Sequence, residues 1–336
     1  MRFISLIIFM VVMSSCSREN PDSVFMNGLP ELGFTIDYAC FLNQDNAIII
    51  GRHKEYNDSF PTQYSNSVEI YVSNNKGSRW SLKSKFPFND LIHSSNTIKS
   101  DAGLFTSLFS QNRDAYLLNT KYNPKYSAKL VYTGKMMCSP IAVKNNLLYS
   151  TTRQGSGAIL IVMNSNFQVI DSLSCPHLSQ GVFLKDELFA IRRYVINNNM
   201  FVLDKNGQWI SHTCPINPSF IAGLKDGICI AGHNQSNDME LYSYAQSAHN
   251  PQILYSTNDY TFVKDLVTDR LNTIVLVLGY ETGIFMNYKL IVSNNSGKDW
   301  KTFDIPNSSL YAACSICGNS IYLFLTNNRL IQYRIS

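Results

Sequence analysis

The chain has 336 residues, 45% of them hydrophobic and only 15% charged, with a net charge of +4. That hydrophobic content excludes a disordered chain, which needs low hydrophobicity and high net charge. No charge run stands out, which speaks against a dedicated nucleic-acid binder with its basic stripe, and the 19 Tyr and 19 Phe weight the chain toward strands.

The first element is an address. Arg2 is a short basic start, and Phe3 to Met13 runs apolar, broken only by Ser5. This fits the core of a secretory signal and is too short to span a bilayer, which takes about 20 residues. Ser14, Ser15 and Cys16 follow. The segment resembles the lipobox of bacterial lipoproteins, with Met13 where the family usually carries Leu. The resemblance implies cleavage before Cys16 and acylation of that cysteine; an ordinary signal peptide with a chance cysteine is the alternative. Ser17 stands where an Asp typically retains lipoproteins at the inner membrane, so the resemblance points to the outer membrane. The organisation expected is a signal peptide over 1–15, a lipidated tether over 16–22 and one domain over 23–336. No later segment is apolar for 18 residues, so membrane contact is expected through the lipid alone.

From residue 23 onward the pattern is different. Short runs such as Ala47–Ile50, Glu69–Val72, Ile159–Val162 and Thr273–Leu278 alternate with clusters of Asn, Asp, Gly and Ser. No long segment of helical period is present. Three stretches align on sight: Cys138-Ser-Pro, Cys175-Pro and Cys214-Pro each lead into a strand, a turn and a second strand. Strand–turn–strand pieces recur with turns beginning at 44, 100, 144, 185, 225, 268 and 318. Seven units of about 40–55 residues, each with room for four strands, match the blades of an all-β seven-bladed β-propeller. Six or eight blades are the alternatives. The last unit has room for three strands only. The segment Ser23–Tyr38, including Phe34-Thr-Ile, is therefore expected to close the ring against it.

Two boxes support the count. Ser73-Asn-Asn-Lys-Gly-Ser-Arg-Trp80 and Ser293-Asn-Asn-Ser-Gly-Lys-Asp-Trp300 both fit S-x-[DN]-x-G-x-x-W after a strand. They resemble the Asp-box, or BNR repeat, of sialidase-like propellers, with Asn75 and Asn295 in place of Asp. The physical roles are local. The Asn caps its own turn, Gly77 and Gly297 supply a positive φ, and Trp80 and Trp300 pack between blades. Ser73 and Ser293 complete the structural set. In the family these boxes lie away from the active site.

The loops between the second and third strands of each blade form the face expected to meet a ligand. They are expected to hold Arg52, His53, Glu55, Tyr56, Asp58 and Tyr64, then Arg113, Arg153, Arg192, Arg193, Tyr194, His233, Asp238, Tyr280 and Glu281. Converging arginines would suit a carboxylate, sulfate or sialic acid; solvated loop arginines are the plainer reading. The sialidase resemblance implies three arginines on the substrate carboxylate, a Tyr nucleophile with a Glu, and an Asp acid/base. Asp58, Tyr280 and Glu281 are the raw material, yet the early F/Y-R-I-P signature is absent and no residue carries over by motif. Tyr280 and Glu281 are neighbours, so in a strand they point to opposite faces.

Cys314-Ser-Ile-Cys317 is a lone CxxC in an apparent strand, and the six histidines show no metal spacing. No cofactor or metal is expected. The leading expectation is non-catalytic recognition of an acidic glycan or an envelope protein. A sialidase-like glycoside hydrolase and a scaffold for envelope assembly are the alternatives.

Overall fold

The computed structural model describes residues 22–31, 33–56, 64–100, 103–122, 126–134, 138–154, 157–192, 198–245, 251–282, 285–306 and 311–335. The described residues open on a short strand, β1 (Asp22–Phe25), and then build six consecutive four-stranded sheets. Blade 1 holds β2 (Phe34–Phe41), β3 (Ala47–Tyr56), β4 (Tyr64–Ser73) and β5 (Ser81–Phe88). Blade 2 holds β6 (Ile92–Ser100), β7 (Gly103–Ser110), β8 (Ala115–Lys121) and β9 (Ser127–Gly134). Blade 3 holds β10 (Cys138–Lys144), β11 (Leu147–Gln154), β12 (Gly157–Met163) and β13 (Val169–Cys175). Blade 4 holds β14 (Gln180–Leu184), β15 (Glu187–Ile191), β16 (Asn199–Leu203) and β17 (Trp209–Thr213). Blade 5 holds β18 (Asn217–Gly223), β19 (Gly227–His233), β20 (Met239–Ala245) and β21 (Gln252–Thr257). Blade 6 holds β22 (Phe262–Thr268), β23 (Ile274–Thr282), β24 (Phe285–Ser293) and β25 (Lys301–Asp304). Blade 7 takes β26 (Tyr311–Cys317), β27 (Ser320–Leu325) and β28 (Arg329–Arg334) from the end of the chain and β1 from its start. Within the blades the described strands all pair antiparallel, and the result is a seven-bladed β-propeller.

The expected closure is corrected in detail. Only Asp22–Phe25 closes the last blade, with Asp22 opposite Gln332 and Phe25 opposite Arg329. Phe34–Phe41 is instead the innermost strand of blade 1. The sequence joined the two because a buried inner strand and a short outer strand look alike when partners are unknown. All seven turns found by repeat do lie between the first and second strands of a blade. The three Cys-Pro-like starts are not equivalent: Cys138 begins an inner strand, Cys175 ends an outer one, and Cys214 lies in the connection between blades.

The apolar runs follow from the layering. In β23, Ile274 to Leu278 are all fully buried. Ile274, Leu276 and Leu278 pack against Phe220, Cys229 and Leu241 of blade 5. Val275 and Val277 pack against Tyr311, Leu323 and Ile331 of blade 7. A strand covered on both faces needs no polar alternation. Each such side chain contributes about 1.5–3 kcal/mol by leaving water.

The boxes close the outer turns with local hydrogen bonds. In the first, Ser73 Oγ accepts from Gly77 N at 3.0 Å and Asn75 Oδ1 from Arg79 N at 2.9 Å. Trp80 Nε1 donates to Gly77 O at 2.7 Å. In the second, Ser293 Oγ accepts from Gly297 N at 2.8 Å, Asn295 Oδ1 from Asp299 N at 2.9 Å, and Trp300 Nε1 donates to Gly297 O at 3.1 Å. Gly77 and Gly297 have φ of +78° and +88°. Trp209 of blade 4 instead reaches the preceding blade, donating to Ser174 O at 3.1 Å.

Candidate functional site

The topology sends the links between the second and third strands, and the links from one blade to the next, to the same face. The first of these segments is shorter than the sequence suggests. Arg52–Tyr56 and Tyr64–Ser67 still belong to β3 and β4, which run ten residues each. Arg52, His53, Glu55, Tyr56 and Tyr64 are therefore strand residues, not loop residues. Their polarity hid the strands, which extend past the apolar interior of the blade.

Arg52 is held between blades 1 and 2. Its Nε donates to Asp37 Oδ2 at 2.7 Å, its Nη2 to Asp37 Oδ1 at 2.8 Å and its Nη1 to Ile92 O at 3.0 Å. The Asp37 side chain is 5% exposed. A buried carboxylate must be paired, and the bidentate fork satisfies it. Asp37 was not legible as a partner, because it sits at an irregularity in β2 between Ile36 and Tyr38. Comparable irregularities occur in five more inner strands, at Ser94/Asn96, Pro140/Ala142, Pro218/Phe220, Val263/Asp265 and Tyr311/Ala313. Each breaks the two-residue alternation and re-aims side chains near the axis. Asp265, which accepts from Tyr311 Oη at 2.8 Å, was missed for the same reason. Burial pushes the Tyr311 hydroxyl well above its ordinary pKa of 10.0, so it remains a donor.

Similar latches join other blades on this face. Thr151 Oγ1 of blade 3 donates to Leu178 O at 3.0 Å. His233 of blade 5 shares a hydrogen bond with the Thr261 backbone, which raises its pKa, while the stronger effect of burial holds the pKa below the usual 6.5. His233 is thus neutral near pH 7. Its Nε2 and the Oδ1 of Asn217, its cross-strand partner, find no hydrogen-bond partner among the described residues.

His53 turns to the other side of β3, toward Glu69, at 3.3 Å from Nδ1 to Oε1. Glu69 is buried at 2% exposure and also accepts from Ser67 Oγ at 3.0 Å and Tyr71 Oη at 2.7 Å, with Lys85 Nζ at 3.1 Å. Burial pushes its carboxyl up, but the hydrogen bonds from Tyr71, Lys85 and Ser67, and nearby His53, outweigh that and hold it below its ordinary 4.5. Four partners on one carboxylate make a filled, structural cluster.

The remaining candidates divide as follows. Arg113 is exposed in the turn Ser110–Asp114 with φ +67°. The same five-residue turn recurs at Asn164–Gln168, Asp204–Gln208 and Asn234–Asp238, with Phe167, Gly207 and Asn237 at the positive φ. Arg192 is half-buried just past β15. Arg153 lies on β11, and its side chain is outside the described residues, as are those of Glu55, Tyr56 and Tyr64. Cys16, Asp58, Arg193 and Tyr194 lie outside the described residues altogether. Tyr280 leans toward blade 5, edge-on to Tyr260 at 5.8 Å, while Glu281 is exposed. His233 and Tyr280 thus both belong to the contact between blades 5 and 6.

No family model and no curated protein matches the chain. Solved structures do. YCF48 bound to a D1 peptide aligns with a TM-score of 0.57 at 12% identity, over 94% of this chain and 96% of that one. The β-propeller domain of the Trilobed protease from Pyrococcus furiosus, which has an open velcro topology, gives 0.59 at 11% identity over 92% and 97%. Pyrococcus horikoshii acylaminoacyl peptidase gives 0.57 at 12% identity, over 90% of this chain and 52% of that one. At such identities the likeness is one of fold alone, that of a β-propeller.

Proposed function

We propose that the chain is an outer-membrane lipoprotein, acylated at Cys16, whose ring binds a protein segment on its 2–3 loop face and carries out no reaction on it. The observation that carries this reading is the Arg52–Asp37 pair. A guanidinium ring for an acidic sugar needs uncommitted arginines, and Arg52 is spent on a buried carboxylate and on Ile92 O. An acidic ligand would have to break that bidentate pair and leave Asp37 buried and unpaired, at a cost of about 3–5 kcal/mol. A peptide asks for no such exchange. YCF48, of the same fold, carries a peptide ligand, which supports this choice. The opposed directions of Tyr280 and Glu281 favour binding over sialidase-like hydrolysis, since the nucleophile and its activating carboxylate must touch. A scaffold for envelope assembly would use the same face without a pocket.

A second reading keeps an acidic glycan through Arg113 and Arg192, because Arg113 is exposed on that face. The two separate by experiment. A photoreactive residue at Gln111 or Gln235, both on the loop face, is expected to give a discrete protein adduct in intact cells, and one at Asp226 on the opposite turns none. Salt-sensitive retention on sialylated, sulfated or uronic-acid glycans, lost in Arg113→Ala or Arg192→Ala, would replace the protein ligand by a sugar. Turnover of a fluorogenic sialoside, abolished in Tyr280→Phe, would restore the hydrolase.

A further inference from the structure

Resting on the lipoprotein reading, we infer that the ring stands on the bilayer through the rim of blades 6 and 7, with phospholipid headgroups against that rim and the 2–3 loop face turned away. β1 begins at Asp22, six residues past Cys16. Even fully extended, that stretch spans about 20 Å. The acyl chains therefore hold the Asp22 end of β1 close to the membrane.

That end has a definite place in the ring. Asp22 pairs with Gln332, and Arg334 pairs with Ser320 beside the turn at Gly318 and Asn319. This is the side of the first-to-second-strand turns. The 2–3 loops leave from the opposite ends of the strands. An anchor on the turn side cannot hold the loop side against the same bilayer.

The surface at this end has interfacial chemistry. A pocket of about 40 Å³ opens between blades 6 and 7, and its lining includes Lys301, Phe303, Ile321, Tyr333, Arg334 and one acid, Asp299. Asp299 is engaged by the amide of Asn295 at 2.8 Å. Arg334 is 77% exposed, and its contact with Asp22 at 3.6 Å joins two exposed ions, a pairing worth little in water. Exposed cations such as Lys301 and Arg334 around a pocket with an apolar floor suit the phosphate level of a membrane–water interface. The tether places a bilayer within reach of this rim, so the occupant is the lipid surface.

Full-length acylated protein in vesicles of phosphatidylethanolamine and phosphatidylglycerol, with a photocrosslinker on the headgroup, tests the inference. Mass spectrometry is expected to find adducts on peptides holding Asn319, Lys301 and Arg334. Lys301→Gln and Arg334→Gln are each expected to weaken the association of the unacylated Cys16→Ser protein with the same vesicles about fivefold, from the attraction of one cation to an anionic leaflet. Adducts gathered on 111–114 or 233–238 would overturn the orientation while leaving acylation intact. An acyl group missing from Cys16 in protein recovered from cells would overturn anchor and orientation together. Rim adducts with no change in association for either variant would overturn the headgroup contact.

Discussion

The turns Ser73–Trp80 and Ser293–Trp300 are nearly the same peptide in two settings. The hydrogen bonds made by the serine, the first asparagine's Oδ1 and the tryptophan recur position for position, so local sequence dictates the turn itself. Their surroundings differ. The second lies between two blades made of consecutive chain, where Trp300 stays half-buried beside Tyr255 and donates to Leu254 O at 2.9 Å. The first lies at the seam, where the chain's two ends meet. There Trp80 N donates to Asn27 O at 2.8 Å and Asn27 N to Ser78 O at 3.1 Å, so the N-terminal segment covers the turn. Trp80 falls to 4% exposure and rests edge-on against Phe324. One motif thus gives one turn and two burial states, because burial is set by chain that arrives from far away.

The largest test of that contrast is the tryptophan itself. Trp80→Ala is expected to cost about 3–5 kcal/mol, as for a fully buried aromatic, and Trp300→Ala clearly less, about 2. Equal losses in denaturant melts would mean the seam is no more tightly packed than the interior.

The glycines sharpen the same comparison. A Cβ on Gly77 would overlap Leu330, one on Gly297 would sit 3.0 Å from Leu254, and one on Gly207 would meet nothing. All three have positive φ, so backbone strain of about 1 kcal/mol is common to them and only the crowding differs. Alanine is expected to cost about 2–4 kcal/mol at Gly77, about 1–2 at Gly297 and about 1 at Gly207, with melting midpoints in that order. Any other order would break the assignment.

Acid is the next probe of the seam, since Glu69 lies among the residues packed against Phe34 and Tyr71 there. A carboxylate held below its ordinary 4.5 adds stability above that pH and loses it as pH falls toward the folded-state value. The wild type is therefore expected to lose stability as pH falls below the carboxyl's ordinary 4.5 more steeply than Glu69→Gln, which should cost about 1–3 kcal/mol at pH 7. Parallel acid limbs would show that the cluster is not where the protein senses acid.

The smallest effect is expected far from the seam. Arg113 occupies the positive-φ place that Gly207 fills in blade 4, so Arg113→Gly should leave stability within about 0.5 kcal/mol. A larger loss would give Arg113 a packing role that its exposure denies.

The sequence by itself determined the repeat. Turn residues every few tens of positions, and apolar runs too short for helices, leave few architectures but a ring of small sheets. It also determined both tryptophan turns, whose hydrogen bonds are local. The limits of β3 and β4 were not legible, because polar residues such as His53 and Lys54 continue a strand once its partners run alongside. The partners of Arg52 and Tyr311 were not legible either. They depend on irregularities that break the strand alternation, and on a carboxylate from an inner strand. Closure by Asp22–Phe25 was likewise a tertiary decision. A four-residue strand has no stability of its own, and only the bare edge of β28, some 300 residues away in the chain, gives its backbone groups a place to bond.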